Sequence, residues 1–361
     1  MNRCFSVYLD FIRFLAAVAV FVSHVPAFAG GWLWQVAGFG HEAVVVFFVL
    51  SGFVISYVVY EKKETLSHYA VSRLSRIYSV ALPAILITLF LYYLGMEING
   101  QAFELVNEKQ RDPVWTVFSA FLFINQSWIA TPFFSNLPYW SIGYEVLYYL
   151  FFGVAVFSKG PKRIGLMLIV FMLMGPSILL YLPLWCLGVL CFKLIKRVQL
   201  SFSVSAWLYL MSLLGLFYFL RGEVQSEVNT FVALHIYDGV YKFLLEPADH
   251  FASDYLLGMV VFLNIFSAYH LTCSSNFFKL GQKANTWIKE ASAHTFSLYL
   301  LHMPMLFFIS AVFPYDVNSS VNLMLCWVAV PLSIFFLSRW LESHRGYYRR
   351  FFDGLFLRYA T

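Results

Sequence analysis

The stretch Leu9–His24, "LDFIRFLAAVAVFVSH", decides how the rest of the chain is read. It is apolar for most of its length, as a bilayer span of ~20 residues must be. Yet it opens with Asp10 and Arg13 and closes with His24. Ionisable groups in a span are costly in lipid and usually face the bundle interior or a wet cavity. Asp10 and Arg13 are three residues apart, so they are neighbours on a helix. Arg13 and His24 are eleven apart. At ~100° per residue that spacing returns to nearly the same face, with a rise of ~16 Å. One stripe therefore carries an acid and a base near the inner end and an imidazole toward the outer half. The plainer alternative is an Arg snorkelling to headgroups and a His at the interface.

Comparable apolar windows recur along the 361 residues, of which 61% are hydrophobic, 20% aromatic and only 12% charged. That is not the composition of a soluble globular domain. The expectation is an all-α fold, a polytopic transmembrane helix bundle forming a single domain over 1–361. The pattern predicts about ten spans, near 7–28, 42–60, 77–95, 140–158, 164–181, 182–196, 203–220, 254–271, 294–313 and 321–341. The shorter piece "VWTVFSAFLFINQSW" (114–128) turns polar toward its end and reads as a re-entrant segment. No cleavable leader is evident, so the first apolar segment reads as a retained span.

The net charge of +5 is small and unevenly placed, which is a topology signal and not a nucleic-acid footprint. With both termini cytoplasmic, "EKKETLSHYAVSRLSR", "KGPKR", "KLIKRVQ", the 272–293 loop and the tail "ESHRGYYRRFFDGLFLRY" lie inside. Apart from Arg13, only Lys109, Arg111, Arg221 and Lys242 then fall outside. Most acids, among them Glu97, Glu104, Asp238, Glu246, Asp254 and Asp316, face out. Counting 114–128 as a full span would put "KGPKR" and "KLIKR" outside, against the positive-inside rule. The outer loop 221–253 is the longest connection and is expected to fold against the bundle. The five cysteines show no metal-ligand spacing, so no metal is expected and the thiols read as small apolar groups.

Four further signals carry chemistry. In "HEAVVVFFVLSGFVIS" (41–56), Ser51-Gly52 reads first as a helix-packing notch and second as the lining of a substrate tunnel. Arg73 and Arg76 of "RLSR" are one turn apart and form a fork suited to phosphate. Anionic headgroups at the membrane edge are the competing explanation for them. Glu145, inside the span "LPYWSIGYEVLYYLFF" (137–152), needs a partner or a proton. His302 of "HTFSLYLLHMPMLFF" (294–308) sits mid-span, as a packing residue or a functional one. Together these groups suggest transfer from a phosphorylated donor on the cytosolic side, with histidine as base or covalent acceptor. A proton-coupled transporter or flippase would carry the same intramembrane groups.

These segments, in order, resemble the acyltransferase-3 family of bacterial integral-membrane acyltransferases. The basic residue, ten residues, then His pattern is Arg13 and His24; the aromatic-rich SGF segment is "FFVLSGF". R-x-x-R is Arg73 and Arg76; W-S-x-x-x-E is Trp140, Ser141 and Glu145; Y-L-x-H is "YLLH", ending at His302. Phe14 stands where many members have Gly. The resemblance implies a multi-pass enzyme of the bacterial inner (cytoplasmic) membrane. It implies transfer of an acyl group, commonly acetyl from acetyl-CoA, to a hydroxyl of an envelope carbohydrate or glycolipid such as O-antigen or exopolysaccharide. Arg13 and His24 would then serve the transfer, with Glu145 and His302 as further catalytic candidates. Arg73 and Arg76 would serve the acyl-CoA donor, with Ser51 a further candidate for contact with it. Membrane lipids are implied partners; nucleic acid is not.

Overall fold

A computed structural model describes residues 2–30, 38–235, 248–275, 277–313 and 319–356. The chain is an all-α polytopic helix bundle with no strand among the described residues. The principal helices are α1 (Arg3–His24), α2 (Gly40–Glu61), α3 (Leu66–Asn99), α4 (Pro113–Phe121), α5 (Trp140–Phe157) and α6 (Gly160–Leu194). They continue as α7 (Phe202–Phe219), α8 (Glu223–His235), α9 (Phe251–Ser274), α10 (Gln282–Ala293), α11 (Thr295–Val312) and α12 (Val330–Phe356). Nine helical segments among the described residues are long and apolar enough to cross a membrane. Side chains such as Leu86, Phe90, Met172, Phe217 and Phe336 are exposed on them, which suits a lipid surround.

The count differs from ten at one place. The expected spans 164–181 and 182–196 are both contained in α6, and the backbone breaks at Gly175, with φ 71° and ψ 176°. Glycine takes that positive φ without a Cβ clash. Pro176 follows, where a missing N–H costs nothing at a new helix start. Pro183, beside the expected boundary, sits inside helix instead. At the amino end, α1 stops at His24 and a separate short helix, Pro26–Ala29, follows. His24 is thus the last residue of α1, while the apolar segment long enough to cross a membrane runs on through the short helix, Arg3–Ala29.

By its internal contacts the chain groups into two compact units. The first comprises 1–16, 41–63 and 175–293. Within it α7 packs along α9, and Tyr8 donates to Asn264 Oδ1 at 2.6 Å while Asn264 donates to Ser212 Oγ at 3.1 Å. α2 crosses the later stretch of α6 at two glycines. A Cβ on Gly52 would strike the Trp185 carbonyl, and one on Gly188 would strike the Val49 carbonyl and the Phe53 amide. The Ser51-Gly52 notch is thus a packing notch, as small residues at close crossings are. Phe14 packs edge-on against Trp287, ring centroids 5.4 Å apart. Of the 221–253 loop, α8 packs against α9 and α7; Asp238, Lys242 and Glu246, like Asp316 elsewhere, lie outside the described residues.

The second unit comprises 17–40, 64–174 and 294–361. Here α3 packs against α11 and α12. Thr65 caps α3 by accepting from the His68 amide, as N-cap threonines do. α4 has nine residues, about 13 Å of helix and too short for a ~30 Å core. The chain from Leu122 to Asn136 is irregular, and Phe123 and Phe134 hold positive φ of 60° and 46°. Both are buried, as are Asn125, Gln126, Ser135 and Asn136. Irregular backbone is tolerated beside lipid only when covered by protein, which fits the re-entrant reading of 114–128. Asn136, fully buried, donates to Thr88 Oγ1 on α3 at 3.1 Å and to the Leu300 carbonyl on α11 at 2.8 Å.

Gly188→Ala is expected to lower the melting temperature of the detergent-solubilised protein, an overpacking cost of about 1–3 kcal/mol. Gly165→Ala, where an added Cβ meets nothing within 4 Å, is the control and should not lower it. An unchanged midpoint for Gly188→Ala would contradict the close crossing.

Candidate active site

Five of the residues singled out by sequence, His24, Arg73, Arg76, Glu145 and His302, lie in the second unit, on α1, α3, α5 and α11. At one end stand two imidazoles. His302 is fully buried, two residues before Pro304 in α11. Its Nδ1 lies 2.9 Å from the Leu298 carbonyl, which can only accept, so Nδ1 carries the proton. Nε2 of His302 then has a lone pair, and it lies 3.2 Å from Nδ1 of His24. His24 Nδ1 is also 2.8 Å from the Val20 carbonyl. Both neighbours accept, so His24 is held as the Nδ1–H tautomer and keeps its lone pair on Nε2. A Cβ on Gly40 would meet Ser23 Oγ and the His24 ring, so that glycine leaves the imidazole its room.

Beyond His302 the polar groups continue. The Tyr299 ring lies 6.4 Å from the His302 ring. Tyr299 Oη and Ser141 Oγ are 2.7 Å apart, and both hydroxyls also reach the Pro138 carbonyl. One turn along α5, Glu145 accepts from Tyr149, the residue four positions on. That hydrogen bond partly answers the demand of a carboxylate among apolar side chains. Tyr149 is buried, and it lies within electrostatic range of Arg76 and Arg73. The Arg73 guanidinium stands 6.0 Å from the Tyr149 ring centroid, a cation–π separation. Arg73 is only 8% exposed. A line of polar side chains thus runs from a guanidinium pair, through two tyrosine pairs, to a hydrogen-bonded imidazole pair.

The other sequence candidates lie in the first unit. Arg13 pairs with Asp10 at 3.6 Å, the neighbour its spacing predicts. It stands ten residues into α1, deeper than expected, because that helix begins at Arg3. Ser51 Oγ accepts from the Trp185 indole at 3.2 Å. His41 approaches Asp254 Oδ2 at 2.7 Å, and Tyr181 donates to the same oxygen at 2.5 Å. Nothing in the sequence spacing joins those three. Tyr149 and Tyr299 were also missed as site residues. The first was signalled by its i+4 position to Glu145, the second only by its place in "YLLH".

Residues 6–340 match a family model, acyltransferase-3, described as an acyltransferase domain. No curated protein and no solved structure matches the chain.

His302→Ala removes the acceptor that helps hold the His24 tautomer. It is expected to lower kcat by roughly 10- to 100-fold with little change in KM, a share of the full acid–base contribution. Steady-state kinetics on purified protein check this, and an unchanged kcat would strip the imidazole contact of any role. Tyr299→Phe, which loses the hydroxyl and keeps the ring, should cost less.

Proposed function

The chain belongs to the acyltransferase-3 family and is a multi-pass membrane acyltransferase, and from that premise we propose that it moves an acyl group from cytosolic acyl-CoA to a hydroxyl of an envelope carbohydrate. The observation that carries this reading is the polar line within one compact unit, with guanidinium groups at one end and a base of defined tautomer at the other. Acyl-CoA is polyanionic at its nucleotide end and reactive at its thioester. Arg73 and Arg76 take the phosphates; the pantetheine arm carries the thioester toward His24.

His24 Nε2 accepts the proton of the acceptor hydroxyl as its oxygen attacks the thioester carbonyl. The new C–O bond forms, the C–S bond breaks, and the thiol of CoA leaves with the proton. The same lone pair also serves if the acyl group passes through the imidazole first. His302 steadies His24; Tyr299 and Ser141 supply hydroxyl donors beside it; Glu145 orients either an imidazole or a sugar hydroxyl. Arg13 is proposed to serve the transfer as well, on the family's pattern alone. Acetyl is the preferred acyl group and the bacterial inner membrane the proposed location, supported by the family's pattern and by the distribution of Lys and Arg along the chain.

The test is transfer of label from radiolabelled acetyl-CoA to envelope glycan by the purified protein. His24→Ala should abolish transfer, a loss of about 100-fold or more, whereas full activity would remove the mechanism. Arg73→Ala and Arg76→Ala should raise the KM for acetyl-CoA with a smaller effect on kcat, since they bind a part of the donor remote from the thioester.

A further inference from the structure

The tail of α12 was read from sequence only as positive charge on the inner side. In the structure it forms one wall of a cleft of about 380 Å³, within the size range of small-molecule sites. The other wall is the amino-terminal part of α3 with the residue just before it. Glu64, His68, Ser72 and Ser75 face Arg345 and Arg349 across it. Arg345 lies within electrostatic range of Arg76, Arg73 and Arg349. Arg345 and Arg349 line the cleft, while Arg73 and Arg76 stand off its lining, within range of Arg345. Each lining arginine has one acid partner on α12, Arg345 with Glu342 at 3.8 Å and Arg349 with Asp353 at 3.9 Å. Arg73 donates to Ser72 Oγ at 3.0 Å. Its Nε is buried with no hydrogen-bond partner among the described residues.

Two cations on the lining and two within range of it outnumber the one lining carboxylate, Glu64, and a bound polyanion relieves their mutual repulsion. Guanidinium forks with serine hydroxyls between them are the chemistry of phosphate recognition. Two arginines suffice for a single phosphate. Four, two lining a cleft of nucleotide scale and two within range of them, suit a ligand with several phosphates. Arg345 and Arg349 also lie beyond residue 340, where the match to the family ends.

We propose that Arg345 and Arg349 complete, with Arg73 and Arg76, a site for the phosphates of the acyl-CoA nucleotide, and that this site distinguishes CoA from 3′-dephospho-CoA. The inference rests on the reading of acyl-CoA as donor. A diphosphate and a 3′-phosphate are more anionic groups than one arginine pair can engage bidentately. The tail pair supplies the remaining forks.

The experiment uses the full chain in nanodiscs of zwitterionic phosphatidylcholine, with calorimetric titration of CoA and of 3′-dephospho-CoA. The wild type should bind CoA more tightly. Arg345→Ala and Arg349→Ala should each raise the Kd for CoA by roughly 10- to 100-fold, the loss of charge-assisted hydrogen bonds, and should narrow the gap to 3′-dephospho-CoA. Arg345→Lys, which keeps charge and fold but loses the fork, should fall between. Arg350→Ala removes a charge from the same helix outside the cleft and should bind as wild type. Wild-type affinity and preference in both alanine variants would overturn the inference while leaving the donor reading intact. A wild type that binds neither compound would overturn the donor reading, and this one with it. A parallel titration with phosphatidylglycerol vesicles separates the sources of phosphate. If the tail variants lose vesicle binding and keep CoA binding, the cleft is a headgroup site and the inference fails.

Discussion

One amide organises the second unit. Asn136 lies with no exposed surface and spends both its N–H donors, one on Thr88 of α3 and one on the carbonyl of Leu300 in α11. A buried amide left unpaired costs free energy on the order of a lost hydrogen bond or more, so the three segments are held together by what each would lose apart. The position is consequential. Thr88 is on the helix that bears Arg73 and Arg76. Leu300 lies between Tyr299 and His302. Four residues after Asn136, α5 begins with Trp140 and carries Ser141 and Glu145. The irregular chain ahead of it, with two phenylalanines in the left-handed region, is what lets Asn136 reach both helices.

Much of this was legible in the amino-acid order because lipid leaves few choices. Apolar windows of span length announce themselves, and Lys and Arg mark the sides. Glu145, His302 and the Arg73–Arg76 pair stood out because each is expensive in its setting. Partners were harder to read. Tyr149 is four residues from Glu145 and was within reach of a helical argument. The pairing of Ser141 with Tyr299 joins residues 158 apart, and His24 meets His302 across 278; no local pattern encodes either. The break at Gly175 was misplaced because hydropathy is continuous there, and only the backbone requirement of a single glycine marks it. His41 and Tyr181 meet at the buried Asp254 carboxylate from distant stretches of sequence, which no local pattern encodes either.

The site divides its labour by helix. α11 contributes the inner imidazole and α1 the outer one, each with a carbonyl one turn earlier that fixes its tautomer. α5 supplies the groups between. α3 and α12 together hold the cations, both as helices that run on past the residues expected to lie in the bilayer. On the proposed reading, a base whose tautomer is already fixed needs no rearrangement when a hydroxyl arrives, and that kind of preorganisation is where catalytic advantage is found.

α12 runs without a break from Val330 to Phe356, about 40 Å at 1.5 Å per residue. Its tail arginines are therefore geared to its packed portion. An inserted residue anywhere between Val330 and Arg345 would rotate Arg345 and Arg349 by about 100° and displace them by about 1.5 Å, turning both out of the cleft. Side-chain replacements along that stretch leave the phase alone; changes of length do not. Just upstream, Leu325–Ala329 forms a π-helical turn, the form in which a helix absorbs one extra residue. An insertion taken up there is neutral to the phase of everything after it, so the chain has one place where its length can drift and a longer one where it cannot.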